Sequence, residues 1–421
     1  MPNNYQGNTN KKLLKSFTKN FMADVVVAKT VERQILVGDY DNSTGGQVAM
    51  KRGVQYTPIR SNDGDLSGGT RNPVRVGQVI GEVGQYITVL VENKHIEEAL
   101  ETDQLDQILA PAATDMAIAL ESELVARMVN NAALVSGTKG QSVNKWSDVA
   151  RAGALMKEVG APAGERYSVI SNFEEVSLAN VQSGLGNNNN ATEAWDTATV
   201  RERFAGFDRV LTSNNLAQYT QGTATAAALS ATPIATYTQY KDSYKMTLAL
   251  SGVTPATGTF KAGQQIQVAA SLLVNMRNQK ILREGTAGVP ITLTVLADAT
   301  AAGGVVNLQV SGAAIIEAGV DSSYNTVSRA LASGDALVFL GAASSVQRPG
   351  LFYHKGFFGL GSVQLPKLHS IDSNVINVEG FSIRVHKFSD GIGNKQFYRF
   401  DLLPTFACFN PFLGGQLHGT V

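Results

Sequence analysis

"GFSIRVHKFSDGIGNKQFYRFDLLP", Gly380–Pro404, is the stretch whose reading decides the fold. Phe381, Ile383 and Val385 alternate with Ser382, Arg384 and His386, the two-residue period that puts successive side chains on opposite faces of a strand. "SDGIGN" at 389–394 supplies the turn, and "KQFYRFDLL" returns as far as Pro404, which has no N–H for a ladder and stops the strand. The stretch is a β-hairpin.

Just upstream lies "KLHSID", Lys367–Asp372, the segment that looks most like chemistry. An enzyme reading takes His369 as a base oriented by Asp372, with Lys367 on an anionic substrate. The flanking "SVQLPKLHSIDSNVI" is extended and broken by Pro366, and no nucleophile stands beside it. The segment is therefore assigned to architecture, a polar turn with His369 as a hydrogen-bonding residue at the core edge. The chain carries no P-loop, HExxH, GxSxG or paired CxxC, and its five histidines (His95, His354, His369, His386, His418) show no ligand spacing. No catalytic residue, cofactor or metal is expected.

Further upstream, 223–345 changes composition: 13 of its 123 residues are charged, and Thr, Ala, Val and Gly dominate. "YKMTLALSG", "QQIQVAA", "ITLTVLA", "VVNLQVSG" and "ALVFLG" read as short antiparallel strands of a small inserted barrel or sandwich. Residues 146–222 mix helix ("WSDVARAGALMKEVG") with strands ("YSVIS", "DRVLTS") and an Asn-rich loop. Over 93–131, Leu105, Ile108, Leu109, Ala112, Met116, Leu120, Leu124 and Met128 recur at helical steps, with Pro111 expected to kink or divide the helix. The segment 93–130 holds eight acids (Glu97, Glu98, Glu101, Asp103, Asp106, Asp115, Glu121, Glu123) against Lys94 and Arg127. With one histidine and no ExxH pair, this reads as a solvated or partner-facing acidic face rather than a metal site.

Residues 38–92 read as two strands around a long tip, a protruding hairpin that needs a partner surface because an isolated hairpin is marginal in water. Its window 45–80 is basic: Lys51, Arg52, Arg60, Arg71 and Arg75 against Asp63 and Asp65. Residues 1–35 carry six cations (Lys11, Lys12, Lys15, Lys19, Lys29, Arg33) and two acids, and read as an extended or partly helical arm ordered by docking.

The whole chain has 421 residues, 43% hydrophobic and 17% charged, with 35 basic and 35 acidic residues and one cysteine, Cys408. Zero net charge argues against a dedicated nucleic-acid binder and leaves no electrostatic barrier between copies. A lone cysteine excludes an intrachain disulfide and fits a reducing compartment. No apolar leader or 18-residue apolar run is found, so a soluble, cytoplasmic protein without a membrane partner is expected, and a β-rich adhesion module lacks its export signal.

The order of parts, together with "KTVERQILVGDY", "NKWSDVA", "AGFDRVLTSN", "LPKLHSID", "EGFSIRVHKFSDG" and "RFDLLPTFACFNP", resembles a tailed-phage major coat protein of the short-tailed Salmonella and Shigella phage group. The resemblance implies an α+β fold of the Hong Kong 97 type: an N-terminal arm (1–35), an extended loop (36–92), a peripheral domain with a spine helix (93–145) and an axial domain (146–222). An inserted β-barrel domain (223–345) follows, then the rest of the axial domain with C-terminal peripheral strands (346–421). It implies a homo-oligomer of hexamers and pentamers, an icosahedral shell around double-stranded DNA, scaffolding and portal proteins as partners, and a location in the virion after assembly in the host cytoplasm. Lys51 is a loop lysine, but cross-linking through it is not expected. From the charge map, Arg60, Arg71 or Arg75 of one subunit is expected over Glu97, Glu101 or Asp106 of the next. Lys11, Lys12, Lys15 and Lys19 are expected on the shell interior, facing DNA or scaffold without base specificity.

Overall fold

The computed structural model describes the chain apart from residues 1–5, 34–46, 53, 57, 59–61, 66, 68–73, 95–104, 185–194, 201–202, 368–372, 391 and 394, and without side chains at 6–13, 47–51, 93–94 and 105–108. The chain forms two compact units, the first from residues 1–50, 80–124 and 358–407, the second from 51–79, 125–357 and 408–421.

In the first unit the hairpin forms as read: Phe381–Asp390 pairs with Lys395–Leu402, from Ile383 opposite Leu402 to Asp390 opposite Lys395. Ser373–Val378 and Ile87–Lys94 flank it, completing an antiparallel four-stranded sheet. The alternation is real, yet Phe381 to Val385 are buried on both faces. Helix α1 (Gln6–Asp24) covers one of them. Its Leu14, Phe17, Thr18 and Phe21 fall on one helical stripe and are buried, Phe17 stacking on Phe400 at 3.9 Å and Phe21 meeting Phe381 edge-on at 5.5 Å. Of the two forms expected for the basic N-terminal segment, extended or partly helical, the structure shows the helical one, packed on this sheet. A second sheet runs in the order Gln47–Lys51, Gln78–Val83, Pro404–Cys408, Phe358–Ser362.

Helix α2 (Leu105–Asn131) continues unbroken through Pro111, where division was one expectation. Proline forfeits one i→i−4 hydrogen bond. Apolar burial resumes at once, with Leu109 before it and Ala112, Ala113, Met116, Ala117, Leu120 and Leu124 after it. From Val125 on the helix belongs to the second unit.

The second unit holds a mixed five-stranded sheet, in the order Leu134–Ser136, Gly414–Leu417, Gly350–His354, Arg166–Ile170, Arg209–Thr212. Helix α3 (Trp146–Val159) starts at a capping box in which buried Asp148 accepts the Lys145 amide, and it ends at Gly160, whose φ of +93° suits glycine. Helix α4 (Asn172–Ser183) uses Ser171 and Glu174 in the same way. All five strands read in the inserted segment are present. With Ala226–Leu229 they form an antiparallel six-stranded sheet: Leu337–Phe339, Gln265–Leu272, Pro290–Val295, Val306–Ser311, Lys245–Thr254, Ala226–Leu229. The bridge Ala228–Ala336 and the bond from Leu229 N–H to the Asp335 carbonyl tie its last strand back to the start of its first.

Candidate assembly surfaces

The chain leaves α1 through the tight turn Val27–Lys29, whose amides need acceptors. Glu121, on α2 and 1% exposed, supplies one: a single carboxylate oxygen accepts from Val26, Val27 and Ala28 at 2.5, 2.6 and 3.2 Å. Burial raises the Glu121 carboxyl above the usual carboxylate range, against the pull of the three amides and Lys29. Thr114 adds a 2.5 Å bond to Asp24 at the end of α1. One helix thereby caps the exit of another, and the end of α1 is fixed to α2. Glu121→Gln keeps the shape but loses the charge and buries an amide nitrogen. Hydrogen exchange at Val26–Ala28 is expected to quicken by about ten- to a hundredfold, the equivalent of about 1–3 kcal/mol for an imperfectly satisfied buried group; an unchanged rate would refute the cap.

On the opposite side of α1, Lys15 and Lys19 are exposed, available to a partner. Lys11 and Lys12 lie on the same helix, with their side chains outside the described residues, as is that of Asp106 in the first turn of α2. Arg60, Arg71, Glu97 and Glu101 fall outside the described residues altogether. Arg75 has partners within its own chain: its guanidinium is 3.0 Å from Asp321 and donates to Thr238 at 2.9 Å, both in the 223–345 segment. His369 and Asp372 also lie outside the described residues, while Lys367 is exposed.

Sequence reading missed the apolar outer face of α4. Phe173 is 84% exposed and Val176 55%, and Trp195, beyond the Asn-rich loop, is 81% exposed. Three large apolar side chains held in water are unfavourable unless a partner covers them. The signal was there in the spacing of Phe173 and Val176, three residues apart.

Among the described residues no cluster of three or more His, Cys, Asp or Glu could hold a metal. Burial pushes the Cys408 thiol up to about 12, so it stays protonated and inert. No described helix is long and apolar enough to cross a membrane.

The sequence matches the family model described as P22 coat protein, gene protein 5, over residues 2–419. It is 42% identical, over 423 aligned residues covering 100% of both chains, to the major capsid protein of Acyrthosiphon pisum secondary endosymbiont phage 1. Among solved structures it resembles the capsid of cyanophage P-SCSP1u, with a TM-score of 0.44 and 10% identity over 94% of this chain and 88% of that one. The capsid of Ralstonia phage GP4 aligns at 0.43 with 7% identity, over 93% and 88% of the two chains.

Proposed function

The chain belongs to the P22 coat protein family and is a phage major capsid protein, a structural component of the virion shell and not an enzyme, and on that premise we propose how it builds the shell. Copies join head to tail into hexamers and pentamers of an icosahedral head of the Hong Kong 97 type, as in the short-tailed Salmonella and Shigella phages. The shell forms around a scaffolding protein, incorporates a portal, and expands as double-stranded DNA enters. The observation that carries this reading is the extent of the family match, residues 2–419, which takes in the inserted segment and leaves only residues 1, 420 and 421 outside the coat-protein pattern. The tied edges of the six-stranded sheet support reading that segment as a β-barrel.

Head-to-tail contact uses two different surfaces of each copy, so a ring closes without any self-paired face. Each contact is individually modest, because ordering and lost rigid-body freedom consume most of the burial gain, and the shell's stability comes from many contacts per subunit. Weak single bonds also let a misplaced subunit leave. Exposed Lys15 and Lys19 support an inward-facing arm that meets DNA or scaffold. Arg75 being engaged within its own chain, the pairing of the loop with the next subunit's acidic helix rests on Arg60 and Arg71 against Glu97, Glu101 and Asp106.

Electron microscopy of the purified protein with an internal scaffold is the test: closed shells or capsomer rings are expected, and monomers alone would overturn the reading. Reversing Arg60 and Arg71 to Glu places like charges across the contact, and shell yield should fall by about tenfold or more while the subunit stays folded. Wild-type yield would remove the pairing.

A further inference from the structure

A hairpin needs a surface to lie on, and residues 51–79 find one inside their own compact unit. Residues from the outgoing and the returning legs of the extended loop meet a single small area of the inserted segment, formed by the turn Tyr237–Tyr244 and the helical turn Gly319–Tyr324. On the outgoing leg, the Arg52 guanidinium lies over the Tyr244 ring at 4.1 Å from its centre and donates to the Lys241 carbonyl at 3.0 Å. The Gln55 amide donates to the Tyr324 hydroxyl at 3.1 Å. Tyr324 itself is stacked on buried Tyr237 at 3.7 Å, so the acceptor sits on a rigid floor.

On the returning leg, Arg75 pairs with Asp321 at 3.0 Å and with Thr238 at 2.9 Å, and the Gln78 amide donates to Asp242 at 2.8 Å. Between them the backbone is pressed close: a Cβ on Gly77 would lie 2.3 Å from the Lys241 carbonyl oxygen. Only glycine permits that approach.

We propose that this area is an intrachain clasp that grips both legs of the extended loop in the unassembled subunit and fixes the direction in which the loop is offered to a neighbouring copy. Its physical effect is preorganisation. A loop ordered before it meets its partner forfeits less conformational freedom on binding, so weak contacts between copies suffice. The inserted segment thereby acts on assembly through the loop. The purpose of the clasp rests on reading 36–92 as an assembly loop; its existence is a property of one chain and is tested there.

Trypsin sites at Arg60 and Arg71 lie between the two legs. Limited trypsin digestion of the unassembled full-length subunit, followed at those two sites, reads how firmly the legs are held. Arg75→Gln and Asp321→Asn are each expected to speed cleavage by about fivefold, the scale of a partly shielded ion pair. The double variant should be cut no faster than either single one, because both remove the same contact. Gly77→Ala, which changes no charge, should act at least as strongly, and the exchange Arg75→Asp with Asp321→Arg should slow cleavage back toward wild type. Wild-type cleavage in Arg75→Gln and Gly77→Ala alike, or additive effects in the double variant, would overturn the clasp. Loss of shells with unchanged cleavage would likewise count against the clasp, while the capsid reading would stand.

Discussion

Replacing Asp401 with Ala should destabilise the first unit by about 3–5 kcal/mol, the cost of leaving a buried charge without its partner. Asp401 is 0% exposed and Arg384, its neighbour across the hairpin, is 7% exposed. Arg384 grips one carboxylate oxygen through Nε at 3.1 Å and Nη2 at 2.7 Å. Arg399 and Thr88 donate to the other at 2.7 and 2.8 Å. Three strands therefore converge on one carboxylate. Burial alone would raise the Asp401 carboxyl, yet the donors from Arg384, Arg399 and Thr88 outweigh it and hold the group below the usual carboxylate range. Because the folded value is the lower one, its stabilising contribution is complete above the ordinary aspartate range and is lost as pH falls through the depressed value. Asp401→Asn should cost nearly as much, since an amide nitrogen would face the guanidinium. Substituting Arg384→Met and Asp401→Leu together should recover most of the loss, because an apolar pair needs no desolvation. Urea unfolding of the unassembled subunit is the measurement. Far-UV circular dichroism is the suitable probe, since Trp146 and Trp195, the chain's two tryptophans, both belong to the second unit. A loss under about 1 kcal/mol in Asp401→Ala would mean that water reaches the pair.

What could be read from the sequence follows from what is local. Period-two alternation exposed the hairpin at Gly380–Pro404 and five strands of the inserted segment, because each strand's pattern lies within ten residues. The helical stripe from Leu109 to Met128 was equally plain. What lies against those elements is not local. Nothing in "GFSIRVHKF" says that α1 will cover Phe381 while Asp401 neutralises Arg384, so burial on both faces was unforeseen. In α1 the charge count hid a legible stripe: Leu14, Phe17 and Phe21 stand at core spacing inside "LLKSFTKNF", three anchors masked by the helix's four lysines. Arg75 is instructive among the proposed contact residues. Net charge points it toward the acidic helix of another copy, and a single carboxylate, Asp321, in a segment with few charges also meets it within its own chain. Charge totals carry long-range bias; one well-placed partner decides the contact.

The larger buried network in the second unit makes the last expectation. Gln416, 0% exposed on the C-terminal strand, donates to the carbonyls of Gly263 at 2.8 Å and Val129 at 3.2 Å, joining the inserted segment to α2. Its oxygen accepts from Lys139 at 2.7 Å and Tyr219 at 3.1 Å, and Lys139 also reaches the Tyr219 hydroxyl at 2.8 Å. Gln416→Ala leaves two carbonyls and an amine short of partners at about 1–3 kcal/mol each, so a loss of about 3 kcal/mol or more is expected in tryptophan-detected unfolding. Lys139→Met should cost far less. Lys139 is buried among neutral acceptors, with no carboxylate partner among the described residues, and burial holds its amine well below the ordinary lysine value. His418 nearby is likewise driven down, by burial and by Lys139, to about 3. Both bases are lowered in the folded state, so the unfolded chain binds the extra protons, and stability must rise with pH. For His418 the loss begins as pH falls below the ordinary histidine range and continues toward 3, at about 1.4 kcal/mol per pH unit. For Lys139 the gain runs from its lowered folded value up to the ordinary lysine value, and it should vanish in Lys139→Met. A wild-type profile that stays flat on the acid side of the ordinary lysine value would mean that the amine keeps its charge in the core, and the network would then hold a buried cation on dipoles and the Tyr219 ring alone.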